Sequence, residues 1–145
     1  MFRSFNAKRY TELLKHRNTE LMNKVNSFDE LEVYQAAFAL QQDLFGLSKC
    51  WPKVEDYSLT DQVRRSSRSI GANIAESWAK RRYPAHFLSK LTDADGELQE
   101  TLHWLKTAKA CEYVSAADRE RLLLQLQQIG RLLGSMINRY ESFCY

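Results

Sequence analysis

Beyond residue 28 the apolar residues recur at steps of three and four in four separate segments, the period of a helix with one face turned to a core. The first segment runs from Asp29, a helix-capping residue type, to Ser48, where Lys49-Cys50-Trp51-Pro52 stops it. Val33, Ala37, Leu40, Leu44 and Leu47 make one stripe, and Leu31, Tyr34, Phe38 and Phe45 make a second row roughly 120° round the helix. That second row reads either as a wide core face or as an interface for a second subunit.

Ser58, with Asp61 three residues on as an acidic variant of the capping box, opens a second helix that continues to Lys80. Its stripe is Leu59, Val63, Ser67, Ile70, Ile74 and Trp78. Ser66, Ser67, Ser69, Gly71, Ala72 and Ala75 leave its middle slim, so a neighbouring helix is expected to cross closely there. Tyr83-Pro84 places Pro at the first position of a third helix, which runs to Glu112 on the stripe Leu88, Leu91, Asp95, Leu98, Leu102 and Leu105. Ser115 with Asp118 starts the fourth, striped by Leu122, Leu126, Ile129, Leu133, Met136 and Tyr140. Four such helices with short connections bury their stripes as an all-α, antiparallel up-down four-helix bundle over residues 28–145. Residues 1–27 carry a weaker pattern (Tyr10, Leu14, Leu21, Val25) and read as a basic extension, weakly helical or flexible, with residues 1–21 dispensable.

Composition narrows this picture. A chain of 145 residues that is 44% hydrophobic suits one core, and 5 Gly with 2 Pro are too few turn-formers for an all-β fold. No run approaches the roughly 18 apolar residues of a membrane span, and the N-terminus lacks the apolar stretch of a secretory signal, so no membrane partner and a cytoplasmic location are expected. Cys50, Cys111 and Cys144 are odd in number and far apart, and are expected to be free thiols.

Charge is uneven. Residues 1–28 hold six basic residues against Glu12 and Glu20, net +4. Residues 61–83 hold Arg64, Arg65, Arg68, Lys80, Arg81 and Arg82 against Asp61 and Glu76, again +4, and this cluster lies within the periodic region. Arg64 and Arg68 are one helical turn apart, a like-charge spacing that costs roughly 0.2–0.5 kcal/mol and calls for an offsetting anion. Carboxylates elsewhere in the protein are one source and nucleic-acid phosphates the other. Asp95, at a core position, calls for a cation in turn, either one of these arginines or an arginine across a subunit interface; otherwise it sits at a bundle edge.

Catalytic chemistry finds little support. Glu100 and His103 have the Glu-x-x-His spacing of half a di-iron site, but no second pair exists, and no Gly-rich phosphate loop is present. No catalytic residue, metal site or cofactor is expected.

The run Arg64-Arg65-Ser66-Ser67-Arg68-Ser69-Ile70-Gly71-Ala72-Asn73-Ile74-Ala75-Glu76-Ser77 resembles the pattern R-R-A-x-x-S-I-x-x-N-I-A-E-G of the four-helix-bundle family of 23S rRNA intervening-sequence proteins. The resemblance extends through Trp51-Pro52, Tyr57 to Gln62, Leu91 to Thr101, Trp104-Leu105 and Leu133 to Ile137, with Ser77 in place of the usual Gly. It implies a ring-shaped homopentamer without enzymatic activity. The family is also similar to the accessory variability determinant of diversity-generating retroelements, which implies nucleic acid and a reverse transcriptase as partners. On this reading Arg64, Arg65, Arg68, Lys80, Arg81 and Arg82 contact RNA or DNA, and Leu31, Tyr34, Phe38, Phe45 and Asp95 belong to subunit interfaces. The alternative is a structural interaction module whose arginines pair with Asp93, Asp95 and Glu97 of a neighbouring subunit.

Overall fold

The computed structural model describes residues 9, 11–13, 16 and 25–145. The extension over residues 1–27, and the dispensability expected of residues 1–21, fall largely outside them. Four long helices follow: α1, Glu32–Ser48; α2, Leu59–Ala79; α3, Pro84–Ala110; and α4, Ala116–Asn138. Each packs on its neighbours in sequence, and α4 returns to α1, so the four enclose one core. Residues 80–83 and 111–115 are too short to carry the chain back along a helix, which makes neighbours antiparallel. This is the expected four-helix bundle.

The helix ends show which local signals act. α1 begins three residues later than expected, because Phe28–Glu30 forms a 3-10 turn and Leu31, extended, buries its side chain before the helix starts. The start of α2 is capped, but not by Ser58. Glu55, in the 3-10 turn Lys53–Glu55, accepts hydrogen bonds on Oε2 from the Ser58 hydroxyl (2.7 Å) and from the Leu59 N–H (3.1 Å). Both donors hold its carboxyl below the usual carboxylate range, the Ser58 bond most of all. Pro84 stands at the start of α3, and the Ser115 side chain accepts from the Asp118 N–H at 3.1 Å to cap α4, both as expected. α3 stops two residues early. Glu112 turns to a φ of 61°, while the Tyr113 N–H reaches the Ala108 carbonyl and the Glu112 N–H the Lys109 carbonyl, a Schellman ending built on a residue other than glycine.

Every stripe position expected of α2 is buried, as are Leu122, Leu126, Ile129, Leu133 and Met136 of α4. The register of α3 differs. Leu91, Leu98 and Leu105 face the core as expected, but the alternate positions are Phe87, Ala94, Thr101 and Ala108, while Leu88, Asp95 and Leu102 are only half-buried. The reason lies in α2. Its buried Ser66, Ser67 and Gly71 let helices approach closely, and α3 packs on it with the small Thr101 set against Ser66. Thr101 Oγ1 lies 2.9 Å from Ser66 Oγ and 2.8 Å from the Glu97 carbonyl, so this polar pair is satisfied inside the crossing. On the other side, a Cβ added at Gly71 would sit 3.5 Å from the Tyr34 ring of α1. Aromatic pairs close the two ends of the bundle, Trp51 with Tyr113 at one and Phe87 with Phe143 at the other.

Candidate nucleic-acid interface

The six basic residues of α2 and its C-terminal turn do not form one patch. Arg64, Arg65 and Arg68 lie in the first half of the helix and Lys80, Arg81 and Arg82 at or beyond its end, roughly 18–27 Å away at 1.5 Å per residue. The chemistry of the two groups also differs.

Arg64 and Arg68 line the edge that α2 shares with α1. The Arg64 Nε–H donates to Ser48 Oγ at 2.8 Å, and its guanidinium carbon is 4.9 Å from the centre of the Phe45 ring. Arg68 approaches the same ring at 5.4 Å, and the Lys49 ammonium at 4.6 Å. Arg65 turns to the other edge, towards Glu97 of α3. The Glu97 carboxyl is pushed up by its partial burial and by the charge of Glu100, with Arg65 pulling the other way. None of these three arginines makes an ion pair with a carboxylate among the described residues.

The distal group is tied up locally. Lys80 shares Glu76 with Lys90, at 3.5 and 3.2 Å, and the hydrogen bond from Lys90 is the main reason the Glu76 carboxyl lies below its usual range. Arg81 donates from Nε to the Trp78 carbonyl at 2.9 Å and stacks 3.5 Å over the Trp78 ring, with Tyr145 on a further side at 5.3 Å. Arg82 lies 6.0 Å from the Tyr83 ring. Of the distal three, Arg81 therefore packs the end of the bundle against the C-terminal residues, a role its position beyond the expected core stripe did not suggest.

The expected interface residues separate too. Leu31 is spent on the chain's own core. Tyr34 is half-buried, edge-on to Phe28 and stacked on Phe38, and Phe38 is exposed at 46%. Phe45 lies under the three cations. Asp95 occupies a half-exposed position, because Ala94 fills the core site, and it makes no ion pair with Arg64, Arg65 or Arg68 within the chain. The other motif, Glu100 and His103, is exposed: Glu100 accepts from the Trp104 indole N–H at 3.3 Å, and His103 packs on the same indole. No cluster of three metal-ligating side chains occurs among the described residues, and no helix is long and apolar enough to cross a membrane. An apolar groove between α3 and α4, lined by Leu98, Leu102, Leu123, Leu126 and Gly130, is bordered by Gln99 and Gln127 and by no titratable group.

Sequence reasoning missed Lys49 and Ser48 as companions of Arg64 and Arg68. Phe45 stood out only as a member of an aromatic row. The helical repeat does place Phe45, Ser48 and Lys49 on one side of the last turn of α1, but which helix they meet is tertiary information.

No curated protein sequence matches the chain. Among solved structures it is similar to a protein of unknown function from the S23 ribosomal protein family of Bacteroides thetaiotaomicron, with 29% identity over 72% of this chain and 97% of that one, and a TM-score of 0.66. Residues 29–135 match the family described as 23S rRNA-intervening sequence protein, a span that takes in the whole bundle from the first turn through most of α4. The chain belongs to that family.

Proposed function

We propose that the protein is a non-enzymatic adaptor of the cytoplasm, a ring-shaped homopentamer that binds RNA or DNA through the basic residues of α2. The observation that carries this reading is the state of Arg64, Arg65 and Arg68: three guanidinium groups on one helix, of which Arg65 faces Glu97 and none lies within ion-pair distance of a carboxylate among the described residues, although α3 beside them carries Asp93, Asp95, Glu97 and Glu100. Desolvated or clustered arginines are stabilised by anions, and phosphates suit their donor geometry. The name of the family is consistent with an RNA connection. Few aromatic faces stand free near the cluster, which favours recognition of the backbone over stacking on bases. Repetition of the cluster by rotational symmetry raises the apparent affinity of each weak site.

Fluorescence anisotropy with single-stranded RNA and duplex DNA at stepped salt tests the binding. The expected result is a log–log slope of roughly −0.7 to −0.9 per phosphate contacted, and light scattering is expected to give five times the chain mass. Absence of binding at low salt would favour the second reading, a structural module whose arginines meet α3 of the next subunit. The raised Glu97 carboxyl, crowded by Glu100 and short of a full ion pair, supports that alternative.

A further inference from the structure

Around Phe45 the chain gathers three cations from two helices, none of them in an ion pair with a carboxylate among the described residues. Lys49 Nζ, Arg64 Cζ and Arg68 Cζ lie 4.6, 4.9 and 5.4 Å from the centre of its ring. The ring's quadrupole offsets part of their mutual repulsion, but a neutral ring does not neutralise three charges. Arg64 is also held in place: its Nε–H is spent on the buried Ser48 hydroxyl, which leaves the two terminal NH2 groups for a ligand. Ser48 in turn donates to the Phe45 carbonyl at 3.1 Å, so ring, hydroxyl and guanidinium form one connected unit.

We propose that Lys49, Arg64 and Arg68, braced by Phe45 and Ser48, form a clamp for a backbone phosphate group of a nucleic acid. This rests on the reading of α2 as a nucleic-acid surface and narrows it to one site that includes a residue of the α1 terminus. The ring occupied by cations is closed to a base, so the site reads phosphate and not sequence. Donors arriving from two helices suit a phosphate, whose oxygens point in several directions, better than the planar pair of a carboxylate. Arg65, facing Glu97 on the opposite edge, and Arg81, stacked on Trp78, lie outside the clamp.

Two measurements on the full chain test it together. The first is binding of a short single-stranded RNA across a salt series by wild type, Lys49→Gln, Arg68→Gln and Arg82→Gln. The second is titration with inorganic pyrophosphate, followed by NMR of the arginine Nε–H signals, where the Arg64 proton is sheltered by Ser48. The clamp requires that Lys49→Gln and Arg68→Gln each weaken RNA binding about tenfold and flatten the slope by roughly 0.7, with Arg82→Gln closer to wild type. It also requires that pyrophosphate move the Arg64 signal in wild type and not in Lys49→Gln. Circular dichroism and light scattering confirm that the variants fold and assemble. RNA binding that is unchanged in both clamp variants, with a silent Arg64 signal, overturns the clamp while leaving the nucleic-acid reading in place. A pyrophosphate response without RNA binding supports the phosphate site and refutes the nucleic-acid reading. Dissociation of the oligomer by Lys49→Gln or Arg68→Gln, with no pyrophosphate response, assigns the cations to a subunit contact and overturns the clamp.

Discussion

Replacing Thr101 by Val keeps the shape of the side chain and removes the hydroxyl that bridges α3 to α2. Thr101 is fully buried, and its Oγ1 is within hydrogen-bond distance of both the Glu97 carbonyl and Ser66 Oγ. After the change the Ser66 hydroxyl keeps only its long contact to the Val63 carbonyl, at 3.4 Å. A buried hydroxyl left so poorly paired costs about 1–2 kcal/mol. The reverse change, Ser66→Ala, leaves Thr101 bonded to Glu97 and costs about 0.5–1 kcal/mol. In the double variant no hydroxyl is stranded, so the loss stays close to that of Thr101→Val alone and the coupling between the two sites equals the cost of Ser66→Ala, about 0.5–1 kcal/mol. Urea unfolding followed by circular dichroism at one fixed protein concentration reads these differences without interference from assembly. The Tm of Thr101→Val is expected to fall by about 4 °C. Strict additivity of the two single changes, within about 0.3 kcal/mol, would refute the account of a polar pair satisfied inside a close crossing.

Glu55→Gln removes the charged cap of α2 and is expected to lower the Tm by about 3 °C near neutral pH, as measured by thermal melts. Because the folded carboxyl lies below its unfolded value, its contribution is present above the unfolded value and is lost as pH falls through the folded one, so the variant's Tm should vary less than wild type between about pH 5 and pH 3. Glu112→Gly relieves a left-handed backbone that costs roughly 1–2 kcal/mol, against an unfolded-state gain in freedom of about 0.4–1 kcal/mol, so the net should be stabilisation of up to about 1 kcal/mol, whereas Glu112→Val should destabilise in the same unfolding assay. Arg81→Ala is expected to shift tryptophan emission to the red and lower the Tm by about 3 °C, since Trp78 loses the group stacked upon it. An unchanged emission spectrum would remove that role.

The four helices and their order were legible because a 3.6-residue period over long segments is the strongest signal a sequence carries, and the Ser115 cap and Pro84 start obey purely local rules. The register of α3 was half legible. Weight given to leucine selected Leu88 and Leu102, whereas the packed positions are Ala94 and Thr101, chosen by the slimness of a different helix. Asp95 looked anomalous only through that misplaced register. The Glu55 cap was hidden for a similar reason: a residue in an isolated 3-10 turn caps α2 only once the loop has folded back. Of the candidate site, the arginines stood out in the sequence, but their division into a pair set against Phe45 of α1, a lone residue facing α3 and a distal group at the end of α2 depends on helix azimuth and on contacts between elements.

The cyclic order of packing also bears on how the chain reaches its native state. Three of the four main helix pairings join segments that follow one another directly, and the fourth, the seam between α1 and α4 crossed by the ion pair of Asp43 with Arg121, joins the two ends of the bundle sequence. Such a wiring has low contact order, so each hairpin of helices gains its burial before any long loop is closed, and folding of the protomer belongs in the microsecond to millisecond range. The seam is then expected to form last and to open most readily, with hydrogen exchange fastest along the α1 and α4 edges.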